Sequence, residues 1–144
     1  AKLVPHTSIC LDIPETLVKT TTRTLQAATL LTVGGRGPGG AELTTTDFAN
    51  VFVAVCGVGQ VMRAGHEIPK WREAAPDLFE YIERRIEDGT GLAGQLVFFV
   101  DRYSARKVSA NRTQSYGEKV DARSYLTRTV TASAFQDWVE GLRG

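Results

Sequence analysis

Two histidines, two cysteines and a row of carboxylates are the reactive side chains of this sequence, and their spacing argues against most chemistry they could perform. His6 and His66 are far apart, and neither belongs to an H-E-x-x-H, C-x-x-C or H-x-x-x-H arrangement, so no local metal site is encoded. Cys56 lies inside an apolar run where a thiol behaves as a small hydrophobe, and no G-x-S-x-G elbow supplies another nucleophile. The run Gly34 to Gly40 has the glycine spacing of a phosphate-cradling loop, but Gly40 and Ala41 stand where its lysine and hydroxyl are required. Gly57 and Gly59 begin a dinucleotide-type turn whose third glycine is replaced by Met62. Asp77, Glu80, Glu83 and Glu87 are interleaved with arginines, the pattern of a solvated helix face rather than of a cleft that raises a carboxyl pKa. The expectation is a protein without catalytic residues, cofactor or metal.

Charge placement is more informative, because a net charge of +1 conceals two opposed regions. Acidic residues dominate from Glu67 to Asp88. From Asp101 to Arg128 the balance reverses, with Arg102, Arg106, Lys107, Arg112, Lys119, Arg123 and Arg128 among Ser, Thr, Asn, Gln and Tyr donors. Such a tract suits phosphate oxygens, which accept hydrogen bonds regardless of base. The acidic set, Asp77, Glu80, Glu83 and Glu87, is expected to meet a basic surface on a neighbouring subunit. Trp138, with Phe135, Val139 and Leu142, forms a face that serves either association or the chain's own core. A helix-turn-helix junction between Ile86 and Leu96 is disfavoured, because its second helix would be LAGQLVFFV, with few side chains to offer base edges.

The elements that must position these residues are read from periodicity. Phe48, Val51, Val55, Val58 and Met62 recur at steps of three and four, predicting a central apolar helix over about residues 45–64, capped by Thr44 and Asp47. Its two interior glycines imply close packing against a neighbour. Residues 1–11 read as an extended lead-in. A helix then starts after Asp12, and a Gly-rich loop follows over 34–41. Residues 69–75 form a polar bridge, and Pro76 opens an amphipathic helix stopped by Gly89. Leu92, Leu96, Phe99 and Tyr103 step by four, three and four and favour a helix, although LVFFV also reads as a buried strand. A polar loop over 109–120, a helix from Asp121 and a last helix through Trp138 complete the chain.

The result is an all-α fold: one domain over 1–144, a compact antiparallel bundle of five to six helices around the central one. Hydrophobic residues at 42% and charged residues at 23% suit a globular domain with no disulfide scaffold. The central run rises about 22 Å, short of the roughly 30 Å hydrocarbon layer, and no secretory signal is seen, so a cytoplasmic protein without membrane contact is expected. In size and helix pattern, through FANVFVAVCGVGQVM, DLFEYIERRIED and DRYSARKVSANR, the chain resembles the small helical subunits of CRISPR effector complexes. That resemblance implies a non-catalytic accessory subunit of a ribonucleoprotein assembly. It would pack against copies of itself or other subunits and touch RNA or single-stranded DNA through its backbone. Two alternatives stand beside it: an α+β enzyme or ligand-binding protein, with LVFFV and YLTRTVT paired and a pocket between sheet and helix, or a homo-oligomeric interaction module without nucleic acid.

Overall fold

Leu96 and Phe98 are buried while Gln95 is exposed and Val97 half-buried, the alternation of a strand and not of a helix. The segment is β1 (Gln95–Phe99) in a computed structural model that describes residues 2–32, 42–120 and 126–143. Among the described residues the chain forms α1 (Leu3–Leu11), α2 (Glu15–Ala27), α3 (Thr45–Gly57), α4 (Ala64–Ala74) and α5 (Pro76–Asp88). After β1 come β2 (Ser104–Val108), β3 (Thr113–Gly117), β4 (Thr127–Val130) and α6 (Ala132–Arg143). The strands make one antiparallel sheet in the order β3-β2-β1-β4.

The all-α bundle is therefore corrected to an α+β fold. The four-three-four spacing of Leu92, Leu96, Phe99 and Tyr103 is a coincidence of a short apolar run. β-Branched and aromatic residues favour the pleat, and left-handed Asp101 and Tyr103 (φ 61° and 54°) turn the chain back into β2. β3 occupies part of the expected loop over 109–120, and β4 replaces the helix expected from Asp121; residues 121–125 lie outside the described ones. The pairing of LVFFV with TRTV, the alternative reading, is the one observed, with Leu96 opposite Val130 and Val97 opposite Thr129.

Residues 1–11 are likewise corrected, from extended to mostly helical. Pro5 falls in the first turn of α1, where its missing N–H has no helical partner to lose. The central helix stops at Gly57 rather than Ala64. There Val58 turns extended, the Gly59 N–H donates to the Asp101 carboxylate at 2.9 Å, and a 3-10 turn at Val61–Arg63 leads into α4. The bridge expected over 69–75 is the second half of α4. The capping box of Thr44 and Asp47 forms as its spacing predicts, and α5 buries Leu78, Phe79, Ile82 and Ile86. The Gly-rich segment 34–41 lies outside the described residues.

α3 is the centre: Ala49 to Gly57 are all buried, and Phe52 packs on Phe98 of β1 and on Phe135 and Trp138 of α6, with centroids 5.0–5.7 Å apart. Gly57 lets α4 close in, because a Cβ there would lie 2.6 Å from the Trp71 ring. Leu96, Phe98, Ala105, Tyr116 and Val130, on one face of the sheet by register, are buried within this core. The opposite face exposes Gln95, Thr113, Ser115, Thr127 and Thr129, but it also carries Phe99 and Ser104, each only 2% exposed. No helix among the described residues is long and apolar enough to cross a membrane.

Candidate nucleic-acid interface

The sheet divides the basic tract between its two faces. Register puts Arg106 on the open face, where its guanidinium lies 4.9 Å over the Phe99 ring and donates to the Val120 carbonyl at 3.1 Å. Lys107 and Arg128 point the other way. The Lys107 ammonium sits 4.6 Å over Tyr81 of α5, and Arg128 donates to the Val55 carbonyl at the end of α3. Arg102 and Lys119 are exposed at one end of the sheet, where the Glu118 N–H donates to the Tyr103 carbonyl at 3.1 Å, Arg112 is exposed in the β2-β3 turn at the other end, and Arg123 lies outside the described residues. Among the described residues Arg102, Arg106 and Lys119 gather toward one end of the sheet, while Lys107, Arg112 and Arg128 lie elsewhere.

The acidic set is mostly engaged within the chain. Glu80 pairs with Arg84 at 2.8 Å and Glu83 with Arg72 at 3.2 Å, while the Thr45 hydroxyl donates to Glu87 at 3.5 Å. Asp77 is exposed beside Tyr81 and Tyr116. Trp138 is fully buried, and its indole donates to the Thr7 hydroxyl at 3.0 Å, so it serves the chain's own core.

A different surface is assembled at α1 and α2. α1 ends at Asp12, held left-handed (φ 54°), and the turn is closed by the Ile13 N–H to Ser8 O at 3.1 Å and the Ser8 hydroxyl to Ile13 O at 2.6 Å. Asp12, Ile13 and Pro14 make up the whole connection before α2 begins at Glu15. Ile13 drops into the core, and α2 follows it with Val18, Thr21, Thr22 and Leu25. Asp12 thus closes α1, and Leu17 on α2 is partly exposed.

Two helices joined by a three-residue turn are the connection of the helix-turn-helix unit, whose second helix reads DNA. The outward side of α2 carries Thr16, Lys19, Arg23 and Gln26, with Thr20 half-buried between them. These are cations and hydroxyl or amide groups fit for phosphates and base edges. The one carboxylate on α2, Glu15, lies in its first turn, where it offsets the helix dipole. Thirteen residues make a rod of about 20 Å, long enough to lie in a major groove.

Both helices are braced from behind. The Thr24 hydroxyl reaches the Val61 carbonyl at 3.1 Å, and Gly65 at the start of α4 has no room for a Cβ against Thr24 and Ala28. The His6 ring meets the Trp138 carbonyl through Nε2 at 2.8 Å, a geometry that puts the proton on Nε2 and leaves Nδ1 to face the Cys10 thiol at 3.6 Å. Burial, reinforced by Asp137, raises the Cys10 pKa, and burial pushes Cys56 up to about 12 against the pull of Arg128. Both cysteines are thiols at neutral pH rather than nucleophilic thiolates. Among the described residues no three His, Cys, Asp or Glu side chains converge as metal ligands.

Lys19 and Arg23 escape any reading of the sequence that weighs the threonines of α2 only as poor helix formers. The usable signal is the pairing of Lys19 with Arg23, and of Thr16 with Thr20, at i,i+4 on the side opposite Val18 and Leu25. No protein-family model, curated protein or solved structure matches the chain.

Proposed function

We propose that this protein is a non-catalytic nucleic-acid-binding module that lays α2 into the major groove of double-stranded DNA. One observation carries the reading: α2 follows α1 after a three-residue turn and presents Thr16, Lys19, Arg23 and Gln26 outward while its other side is locked into the core. Lys19 and Arg23 supply the phosphate contacts, and Thr16, Thr20 and Gln26 the hydrogen-bonding groups nearest the bases. Ser8, Asp12 and Ile13 set the direction in which α2 leaves α1. Of the three segments behind the likeness to small CRISPR subunits, FANVFVAVCG and DLFEYIERRIED are helical as expected while DRYSARKVSANR lies in the β2 hairpin, and the proposal rests on the α1-α2 geometry rather than on that likeness.

Fluorescence anisotropy on a mixed-sequence duplex, the matching single strand and a double-stranded RNA, read between about 50 and 200 mM salt, tests it. The duplex should bind best, and K19A/R23A should weaken binding and reduce the salt slope by about 0.9 for each phosphate no longer neutralised. Unchanged affinity and slope in K19A/R23A would refute the role of α2. Weakening seen instead with R106Q/R112Q would move the interface to the open face of the sheet.

A further inference from the structure

α5 and the β2-β3 hairpin line an open cleft of about 250 Å³ on elements that take no part in the α1-α2 surface. Its aromatic wall is Tyr81 stacked on Tyr116, with centroids 6.0 Å apart and planes at 28°. Two cations lean on that wall: the Lys107 ammonium at 4.6 Å and the Arg85 guanidinium at 5.2 Å from the Tyr81 centroid. The cleft's third cation, Arg84, is taken by Glu80 at 2.8 Å. Lys107 and Arg85 form no salt bridge among the described residues; the Arg85 Nη1 donates to the Thr90 hydroxyl at 3.3 Å, and its Nε is shut off from solvent without an acceptor. An anion placed between these two cations would meet positive charge that no carboxylate of the described residues neutralises. Gln114, paired with Lys107 across β2 and β3, adds an amide able to donate or accept.

We infer that this cleft binds a small aromatic anion, with its ring against the Tyr81–Tyr116 pair and its charged group between Lys107 and Arg85. Asp77, which also lines the cleft, disfavours ligands carrying more than one or two negative charges, which limits the class to small aromatic carboxylates or monophosphates. Such a site would make the module ligand-responsive, through α5, which packs on α3.

Phenyl phosphate is the probe, titrated against the full chain by heteronuclear NMR beside inorganic phosphate, benzamide and benzylamine. The amides of Tyr81, Lys107, Gln114 and Tyr116 should shift, with phenyl phosphate binding at least tenfold more tightly than the other three. K107M, which keeps the apolar stem, should weaken it tenfold or more, and K107R should retain it; spectra of both variants verify folding. The inference fails if these amides do not move, if inorganic phosphate or benzamide binds as well, or if K107M binds phenyl phosphate like the parent. Because neither Lys19 nor Arg23 lies here, this result and the DNA result stand or fall separately.

Discussion

Replacing Asp47 by alanine should be among the most damaging polar substitutions in the protein. Its carboxylate is 5% exposed and accepts two backbone hydrogen bonds, from Thr32 N–H at 3.0 Å and Thr44 N–H at 2.8 Å. Its own N–H donates to the Thr44 hydroxyl at 3.1 Å and survives the substitution, so the loss falls on the carboxylate. A cap contributes about 1 kcal/mol, and a hydrogen bond to a charged group about 1.5–3 kcal/mol, so D47A should cost roughly 2–4 kcal/mol. In urea that moves the unfolding midpoint by about 1–2 M. Burial works to raise the Asp47 pKa, but the bonds from Thr44 and Thr32 outweigh it and hold the group below its ordinary 3.8. A folded pKa below the unfolded one stabilises the protein above the ordinary carboxylate range, and that contribution disappears as pH falls through the folded pKa. The gap between parent and D47A should therefore be full near neutrality and close in strong acid. A gap under about 0.5 kcal/mol at neutral pH, or one unchanged by acidification to about pH 2, would refute the reasoning.

The same logic gives three further expectations. G57A should destabilise by about 1–3 kcal/mol despite the better helix propensity of alanine, because its Cβ would lie 2.6 Å from a Trp71 ring with nowhere to retreat; thermal melting measures it. W138F should cost about 1–3 kcal/mol by stranding the Thr7 hydroxyl, and W138F/T7V should recover most of it; a change in oligomeric state on size exclusion instead would mark Trp138 as an interface residue. The hydrogen bond from Tyr103 to Glu67, with burial and the Glu67 charge, pushes the Tyr103 pKa up to about 12, so E67Q should bring it back toward 10 in an ultraviolet titration. Since the folded pKa is the higher one, the stability that Tyr103 contributes is complete below about pH 10 and drains away between 10 and 12.

Where one physical signal dominates, the sequence is legible. The periodic apolar face of α5, the Thr44–Asp47 box and the small-residue contact at Gly57 each follow from local chemistry, and each is present. The sheet is not legible in the same way, because five apolar residues in a row have no diagnostic period. Partners decide between helix and strand there: Val130 and Lys107 across from Leu96, and Phe52 beneath Phe98. Grouping Arg106 with Lys107 by proximity in sequence fails for a related reason, since neighbours on a strand point to opposite faces. α2 forms as expected despite its five threonines, because the hydroxyls of Thr20, Thr21, Thr22 and Thr24 bond back to carbonyls one turn earlier and so satisfy within the helix the groups that make threonine a poor helix former.

Thr7 and His6 are held by Trp138, some 131 and 132 positions further along the chain. During synthesis α1 emerges long before α6 exists to receive it, so the helix pair proposed to read DNA can take up its final posture only after residues 132–143 arrive. Loop closure over that distance is slow, and a chain cut short before α6 would keep every side chain of α2 yet lack the brace that aims them. The posture of α2 would then depend on α6 as much as on the turn that joins it to α1.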